Sequence, residues 1–446
     1  YTLVYTLSLH DALPICHENE EAMTRLSSIA DFFLLHNRGI ERPIDDSVLL
    51  SIEDDIIPLR RSRGFVPEKI RVEIDCEKTV MAVGGDFKTT LCFLSQGEAT
   101  LSEHLGELSN PSSFRHYAKS AGKLAELLEL EAEILASDAH PAFASSRYAE
   151  SLELPLTRVQ HHHAHIVSCM AEHALSGPVV GIACDGTGYG DDGAVWGFEV
   201  MVCDEIDYER LGHLSYFPLP GGDAAARENW RPALSLLTES YGKQWREKLP
   251  ADLAERFEAQ GEALELAQGR LLSPSSSLPR CSSLGRLFDG VAFLLGVNRE
   301  NTYEGEGAMV LENLASTVDE EPEALSYVTH EEGEGRFSLD FKPMIFELLD
   351  VLHRRESRAE AAASFHGAIA AVIVESALRA SEEREIDRVV LSGGCFANRL
   401  ILERVRRYLS AWGRDVYYHR KVPCGDGGLS LGQALCAAAR FSKGMI

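Results

Sequence analysis

The sequence contains no C-x-x-C pair. Its ten cysteines stand singly along 446 residues. A zinc ribbon or thioredoxin-type site is therefore unsupported, and reduced thiols in a cytoplasmic protein are the plain reading. No apolar run reaches the roughly 18 residues needed to cross a bilayer, so no membrane partner is expected. Basic residues are scarce, with 43 Lys and Arg against 69 Asp and Glu and a net charge of -26. That balance argues against broad phosphate-backbone binding, so no nucleic acid is expected, though a local basic patch could hold a nucleotide. GxxxxGKS/T does not occur, which removes the P-loop reading, and the GxGxxG match GYGDDG at 188–193 runs on into a returning apolar strand, AVWGFEV, where a Rossmann fingerprint would open a helix. No short-period repeat is visible. An initiator methionine is missing too. The opening YTLVYTLSLHDALPIC repeats YTL and has neither the basic start nor the apolar stretch of a signal peptide. Residues 1–15 read as translated sequencing adapter, and the true start of the chain is expected to lie upstream.

The remaining composition, 45% hydrophobic and 25% charged, is that of a globular protein long enough for two or three domains. Four segments share one device, an apolar strand running into a glycine loop. They are TVMAVGGDFKTTLCFL from Thr79, VVGIACDGTGYGDDGAVWGFEV at 179–200, DRVVLSGGCFANRL at 387–400 and VYYHRKVPCGDGGLSLGQAL at 416–435. Glycine lets backbone N–H groups approach an anion, and open α/β sheets place ligands at strand carboxyl ends. Two devices fall in each half, which predicts a duplicated pair of lobes with a nucleotide held between them. The stretches 113–136 and 359–383 have helical apolar spacing, and Asn398 reads as the N-cap of an amphipathic helix. The acidic 317–336 stretch and LSPSSSLPR at 272–280 read as surface loops. The class is α/β.

Residues 159–173 read VQHHHAHIVSCMAEH. On a helix His161 and His165 share a face and can chelate one ion, whereas His162 and His163 point about 100° and 200° away. A lone HxxxH is more often packed or surface histidine than a ligand pair. The remaining donors must come from elsewhere, and the strand-end carboxylates Asp185 and Asp426 are the natural candidates. Two imidazoles and two carboxylates suit zinc or iron. His140 and His173 read as supporting or packing residues.

HHHAH, DGTGYGDDGAVWG, PLPGGDAAARENWRPA, SSLGRLFDGVAFLLG, TYEGEGA, LSGGCFANRL and GDGGLSLGQA occur in this order. Together they resemble the HypF family, the carbamoyltransferases of NiFe-hydrogenase maturation, from roughly residue 18 onward. The resemblance implies a two-lobed sugar-kinase/actin-like (ASKHA, Kae1-like) ATPase fold over 71–446, with lobes of roughly 78–200 and 205–446. Residues 16–70 resemble the end of an α/β YrdC-like domain. The family's acylphosphatase-like domain and zinc-finger cysteines are absent from this sequence, so the chain is expected to be incomplete for the full reaction. The implied chemistry makes carbamoyl adenylate from carbamoyl phosphate and ATP. The Kae1-like domain then passes the carbamoyl group to the C-terminal cysteine of HypE, where dehydration gives a cyanide ligand for the hydrogenase iron.

Residue by residue, the resemblance implies that His161, His165, Asp185 and Asp426 are both metal ligands and catalytic groups. It implies nucleotide contacts at Gly186, Thr187, Gly188, Asp223, Gly393, Gly394 and Asn398. Arg42, Asp45, Arg60, Arg61 and Arg63 are the candidates in the YrdC-like remnant. The expected cofactors are ATP and a divalent metal, zinc or iron, with magnesium as a further candidate. Cys184, Cys395 and Cys424 read as buried small residues, since the acceptor thiolate belongs to the partner. The alternatives are threonylcarbamoyl transfer to tRNA of the TsaD type, a non-catalytic docking module for HypE that binds nucleotide and metal, and a sugar kinase. The charge of -26 opposes the first, and HHHAH has no role in the last.

Overall fold

A computed structural model of the chain describes residues 19–445 except 36, 40, 41, 54 and 274–276. The adapter-like residues 1–15 and the middle of the Ser-rich loop lie outside the described residues.

Among the described residues, two large sheets organise the chain, beside a two-stranded ribbon of Val48–Ile52 and Asp55–Arg60. The smaller has six strands in the order Lys69–Arg71, Glu98–Leu101, Cys92–Ser95, Val80–Ala82, Ile134–Asp138 and Leu156–Val159. Its first four strands pair antiparallel, and its last two run parallel to Val80–Ala82. Helix Pro111–Leu128 covers this sheet. Asn110 caps it by accepting from the backbone N–H groups of Ser112 and Ser113, and Pro111 occupies the first turn, where no N–H is needed. Tyr117, Ala121 and Leu124 form its buried face. The helix ends at Glu129, in the left-handed region at φ 54°. The helical spacing of 113–136 therefore overran by a strand. The segment Ile134–Asp138 is buried on both faces, and apolar period alone does not separate such a strand from a buried helix.

The larger sheet runs Val328–Gly333, Arg336–Asp340, Tyr208–Leu214, Val195–Cys203, Val179–Tyr189, Arg388–Ser392 and Asp415–Tyr418, with Phe217–Pro218 and Arg280–Cys281 attached at its side. Strand Val179–Tyr189 pairs antiparallel with Val195–Cys203 and parallel with Arg388–Ser392. The change of sheet thus falls between Val159 and Val179, not near 200–205. Three of the four glycine loops leave the larger sheet and one leaves the smaller, so the two-and-two division by halves does not hold. The acidic stretch expected as loop contributes the Val328–Gly333 strand.

Among the described residues one helix, Arg358–Arg384, is long and apolar enough to cross a membrane, but 72% of its apolar window is buried inside the protein. It starts at Ser357, whose side chain accepts from the N–H of Glu360, and lies in the largest core with Phe288, Phe293 and Ile345. The chain finally returns to the smaller sheet. Helix Leu429–Ser442 packs on helix His161–Glu172 and reaches strands Val80–Ala82 and Ile134–Asp138. The two helices approach so closely at Gly432 that a Cβ there would sit 1.9 Å from the Ala164 carbonyl oxygen. Their apolar faces share one core with residues of both sheets, including Ile134 and Val390. The seam between the lobes is therefore a pair of packed helices, and the His-rich sequence is one of them.

Candidate metal and nucleotide site

Strand Leu156–Val159 ends at Gln160, which caps the following helix by accepting from the His163 N–H at 2.9 Å. The first turn therefore begins at His161, and His165 lies one turn on. Both are buried, and their rings meet edge to face with centroids 4.8 Å apart. Asp138, at the end of the neighbouring parallel strand, holds His161 Nδ1 at 2.7 Å and accepts from the His140 N–H at 2.7 Å. With Nδ1 held by Asp138, His161 directs its Nε2 into the cleft, the atom that would ligate an ion there.

Four donor atoms converge there. His161 Nε2 lies 3.2 Å from His165 Nε2, 3.4 Å from Asp185 Oδ2 and 3.7 Å from Asp426 Oδ1. His165 Nε2 is 3.5 Å from each carboxylate oxygen. A tetrahedral ion with bonds of about 2.0–2.1 Å has ligand–ligand edges of about 3.3–3.4 Å, so the spacing fits one divalent cation. Electrostatics agree with that fit. Burial alone would lower the His161 imidazole, yet Asp138, Asp185 and Asp426 outweigh it and raise its pKa well above the ordinary value. His165 is likewise raised against its burial, by Asp185 and Asp426. Burial would raise Asp185, but the two imidazoles hold it well below the usual carboxylate range. Imidazoles and carboxylates thus favour one another's charged forms, and a cation at their centre would take the place of the imidazole protons.

The larger sheet supplies the glycine loops around Asp185. Gly394 N–H donates to Asp185 Oδ1 at 3.0 Å. Gly393 has φ 101°, and a Cβ there would lie 2.2 Å from the Cys184 carbonyl oxygen, so no other residue fits. A Cβ at Gly188 would strike His162 and His161 at 2.4 and 2.6 Å. The Gly186 carbonyl accepts from the Ser283 hydroxyl, and Thr187 is exposed at the rim. Asp223 is exposed in the short Gly222–Ala226 turn and lies within electrostatic reach of His140.

Asn398 engages the start of its own helix. Its side chain caps helix Arg399–Ala411 through the Ile401 N–H at 3.1 Å and meets His366 Nε2 at 3.1 Å. The YrdC-like candidates stand apart from the cage. Arg42 pairs with Glu103 at 3.6 Å, Arg60 with Asp45 at 3.8 Å and Arg63 with Asp46 at 3.0 Å. Arg61 donates to the carbonyls of Phe65 and Glu68. His173 bonds the Tyr418 carbonyl at 2.8 Å, away from the cage. Cys184 and Cys424 are buried and Cys395 half-buried; burial pushes all three thiols up, Cys424 to about 12. Sequence reasoning missed Asp138. The signal was the same one that found Asp185, a carboxylate closing an apolar strand, here in EILASD.

Residues 75–172 match the family model of the HypF Kae1-like domain, and residues 181–433 match that of the carbamoyltransferase Kae1-like domain, second subdomain. The carbamoyltransferase HypF of Rhizobium leguminosarum is 38% identical over 431 residues, covering 97% of this chain and 54% of that protein. A carbamoyltransferase HypF homolog of Cupriavidus necator is 35% identical over 374 residues, covering 80% of this chain and 91% of that protein. A crystal structure of full-length HypF in a phosphate- and nucleotide-bound form superposes with a TM-score of 0.87 at 38% identity, over 96% of this chain and 55% of that one. The chain spans about half the length of the Rhizobium relative and of the crystallised protein, and nearly all of the Cupriavidus homolog.

Proposed function

The chain belongs to the HypF carbamoyltransferase family, and on that premise we propose that it passes a carbamoyl group from carbamoyl adenylate to the C-terminal cysteine thiolate of HypE. ATP and carbamoyl phosphate are the sources of the adenylate, which the YrdC-like part of a longer protein forms. The observation that carries the reading is the convergence of His161, His165, Asp185 and Asp426 beside the glycine loops. A divalent ion bound there, zinc or iron, supplies Lewis acidity toward the carbamoyl oxygen.

The chain's own residues do the rest. Asp138 fixes the His161 ring. Gly394 holds Asp185 through its N–H, the glycines at 188 and 393 let the strand ends pack against the histidines and Cys184, and Gly186 leaves open space for the adenylate. The carbon–sulfur bond forms as the carbamoyl carbon–oxygen bond to phosphate breaks, and AMP leaves with the electron pair. The thiols at Cys184, Cys395 and Cys424 stay protonated, which leaves the nucleophile to the partner. Transfer to tRNA fits the net charge of -26 poorly.

The test uses the whole chain loaded with zinc or iron, synthetic carbamoyl adenylate and HypE, read by intact-protein mass. The expected outcome is one carbamoyl group on the terminal cysteine, with metal and transfer both lost in His161→Ala. Retention of both in that variant would overturn the assignment.

A further inference from the structure

The loop GGDFKTT leaves the first strand of the smaller sheet's glycine device and carries a lysine that the metal cage does not use. Lys88 sits in the left-handed region at φ 43°, a conformation that costs energy for a residue with a Cβ. The loop is pinned in place. Thr90 Oγ1 donates to the Gly427 carbonyl at 3.0 Å and lies 2.7 Å from Ser430 Oγ, so Lys88 is fixed against the residue that follows Asp426. A Cβ on Gly427 would lie 3.6 Å from the Lys88 carbonyl oxygen. The ammonium extends across the cleft to Glu304 of TYEGEGA at 3.0 Å, and both side chains are exposed. Glu304 first, then Asp426 and Asp185, favour the charged form of Lys88. The ammonium therefore feels the cage carboxylates while being paired with a residue of the opposite lobe.

Charge bookkeeping shows what such a cation is for. Asp185 and Asp426 balance a divalent ion, and Asp138 adds a third negative charge behind His161. The loaded cage is then not positive, while an adenylate brings its own phosphate charge. Backbone N–H groups offset part of that charge, and a full cation beside the cage offsets more.

We propose that Lys88 binds the phosphate of the nucleotide in the cleft, and that Glu304 is the counter-charge it leaves when the nucleotide arrives. The inference rests on the transfer reading and adds to it a phosphate-binding residue and a competitor for that residue. Because the partners come from opposite lobes, the exchange also releases one cross-cleft ion pair as the ligand enters. An exposed pair of this kind is weak, so giving it up for a phosphate costs little.

The test is calorimetric titration of the zinc-loaded whole chain with AMP and, separately, adenosine, alongside metal content. Lys88→Ala is expected to weaken AMP by roughly ten-fold or more, with adenosine affinity and zinc content unchanged. Lys88→Arg should recover most of the loss, and Glu304→Gln should tighten AMP a few-fold. Equal AMP affinity in Lys88→Ala and the parent overturns the inference and leaves the transfer reading standing. Equal losses for AMP and adenosine also overturn it, since they mark a change of pocket shape. A parent chain that binds zinc but neither AMP nor adenosine overturns the transfer reading as well.

Discussion

Two clusters on one helix look alike in composition and differ in kind. His161 and His165 meet Asp185 and Asp426 at the helix start, and Cys169 and Glu172 meet His419 at its end. Both groups are mostly buried, and both draw on the 415–428 segment. In the first, two imidazole nitrogens and two carboxylate oxygens converge on one point, all within 4.8 Å of one another. In the second, the carboxylate is already satisfied. Glu172 accepts from the backbone N–H groups of Arg420, Lys421 and Val422 at 2.6, 3.0 and 2.9 Å. His419 Nε2 meets Ser392 Oγ at 2.8 Å, and that hydroxyl donates to the His165 carbonyl at 2.7 Å. Proximity of ligand-type residues thus does not by itself mark an ion site; ligand atoms that converge on one point and are not taken up by backbone groups are the better sign. The second cluster clasps the loop that delivers Asp426, so one helix end holds the geometry that the other end uses.

Three substitutions separate the two roles. The largest effect on metal is expected from His165→Ala, with affinity falling more than about a hundred-fold while circular dichroism and cooperative unfolding persist. A variant that still binds stoichiometric zinc would erase the distinction. Asp138→Asn keeps the shape but removes the charge behind His161, and metal affinity should fall about 10- to 100-fold by competition with a chelator.

Glu172→Gln should act on stability instead. We expect a loss of about 2–4 kcal/mol by urea denaturation, with metal stoichiometry intact at saturating zinc. The same residue sets a pH slope. Burial would raise Glu172, but His173, His419 and the loop N–H groups hold it far below an ordinary carboxylate. A carboxyl depressed in the folded state contributes stability above its unfolded pKa, near 4.5, and loses it progressively as pH falls below that. Acid unfolding should therefore be less steep in Glu172→Gln than in the parent, and identical slopes would remove the clasp from the account.

The parts of this arrangement that sequence made legible are local. The i, i+4 histidine pair, the Asn398 cap and the strand-to-glycine junctions each declare themselves within a few residues, because helical period and turn chemistry are short-range. What stayed hidden depends on distant pairing. Strand Val179–Tyr189 joins the larger sheet by lying beside Arg388–Ser392, and nothing within 179–203 records that neighbour. Asp138 escaped for the same reason, since its role exists only because Ile134–Asp138 runs beside the strand that launches the histidine helix. Asn398 belongs with the legible parts: the cap signal read from the sequence is met by its bond to the Ile401 N–H, and the same side chain also reaches His366.

The cage gathers its donors from widely separated stretches of the polypeptide, the histidines near residue 161 and the last carboxylate at 426. During synthesis the ribosome must therefore lengthen the chain well past the histidine helix before the fourth donor exists. An ion held by all four donors would consequently bind late, and a nascent chain would meet cellular metal pools with its coordination shell still open.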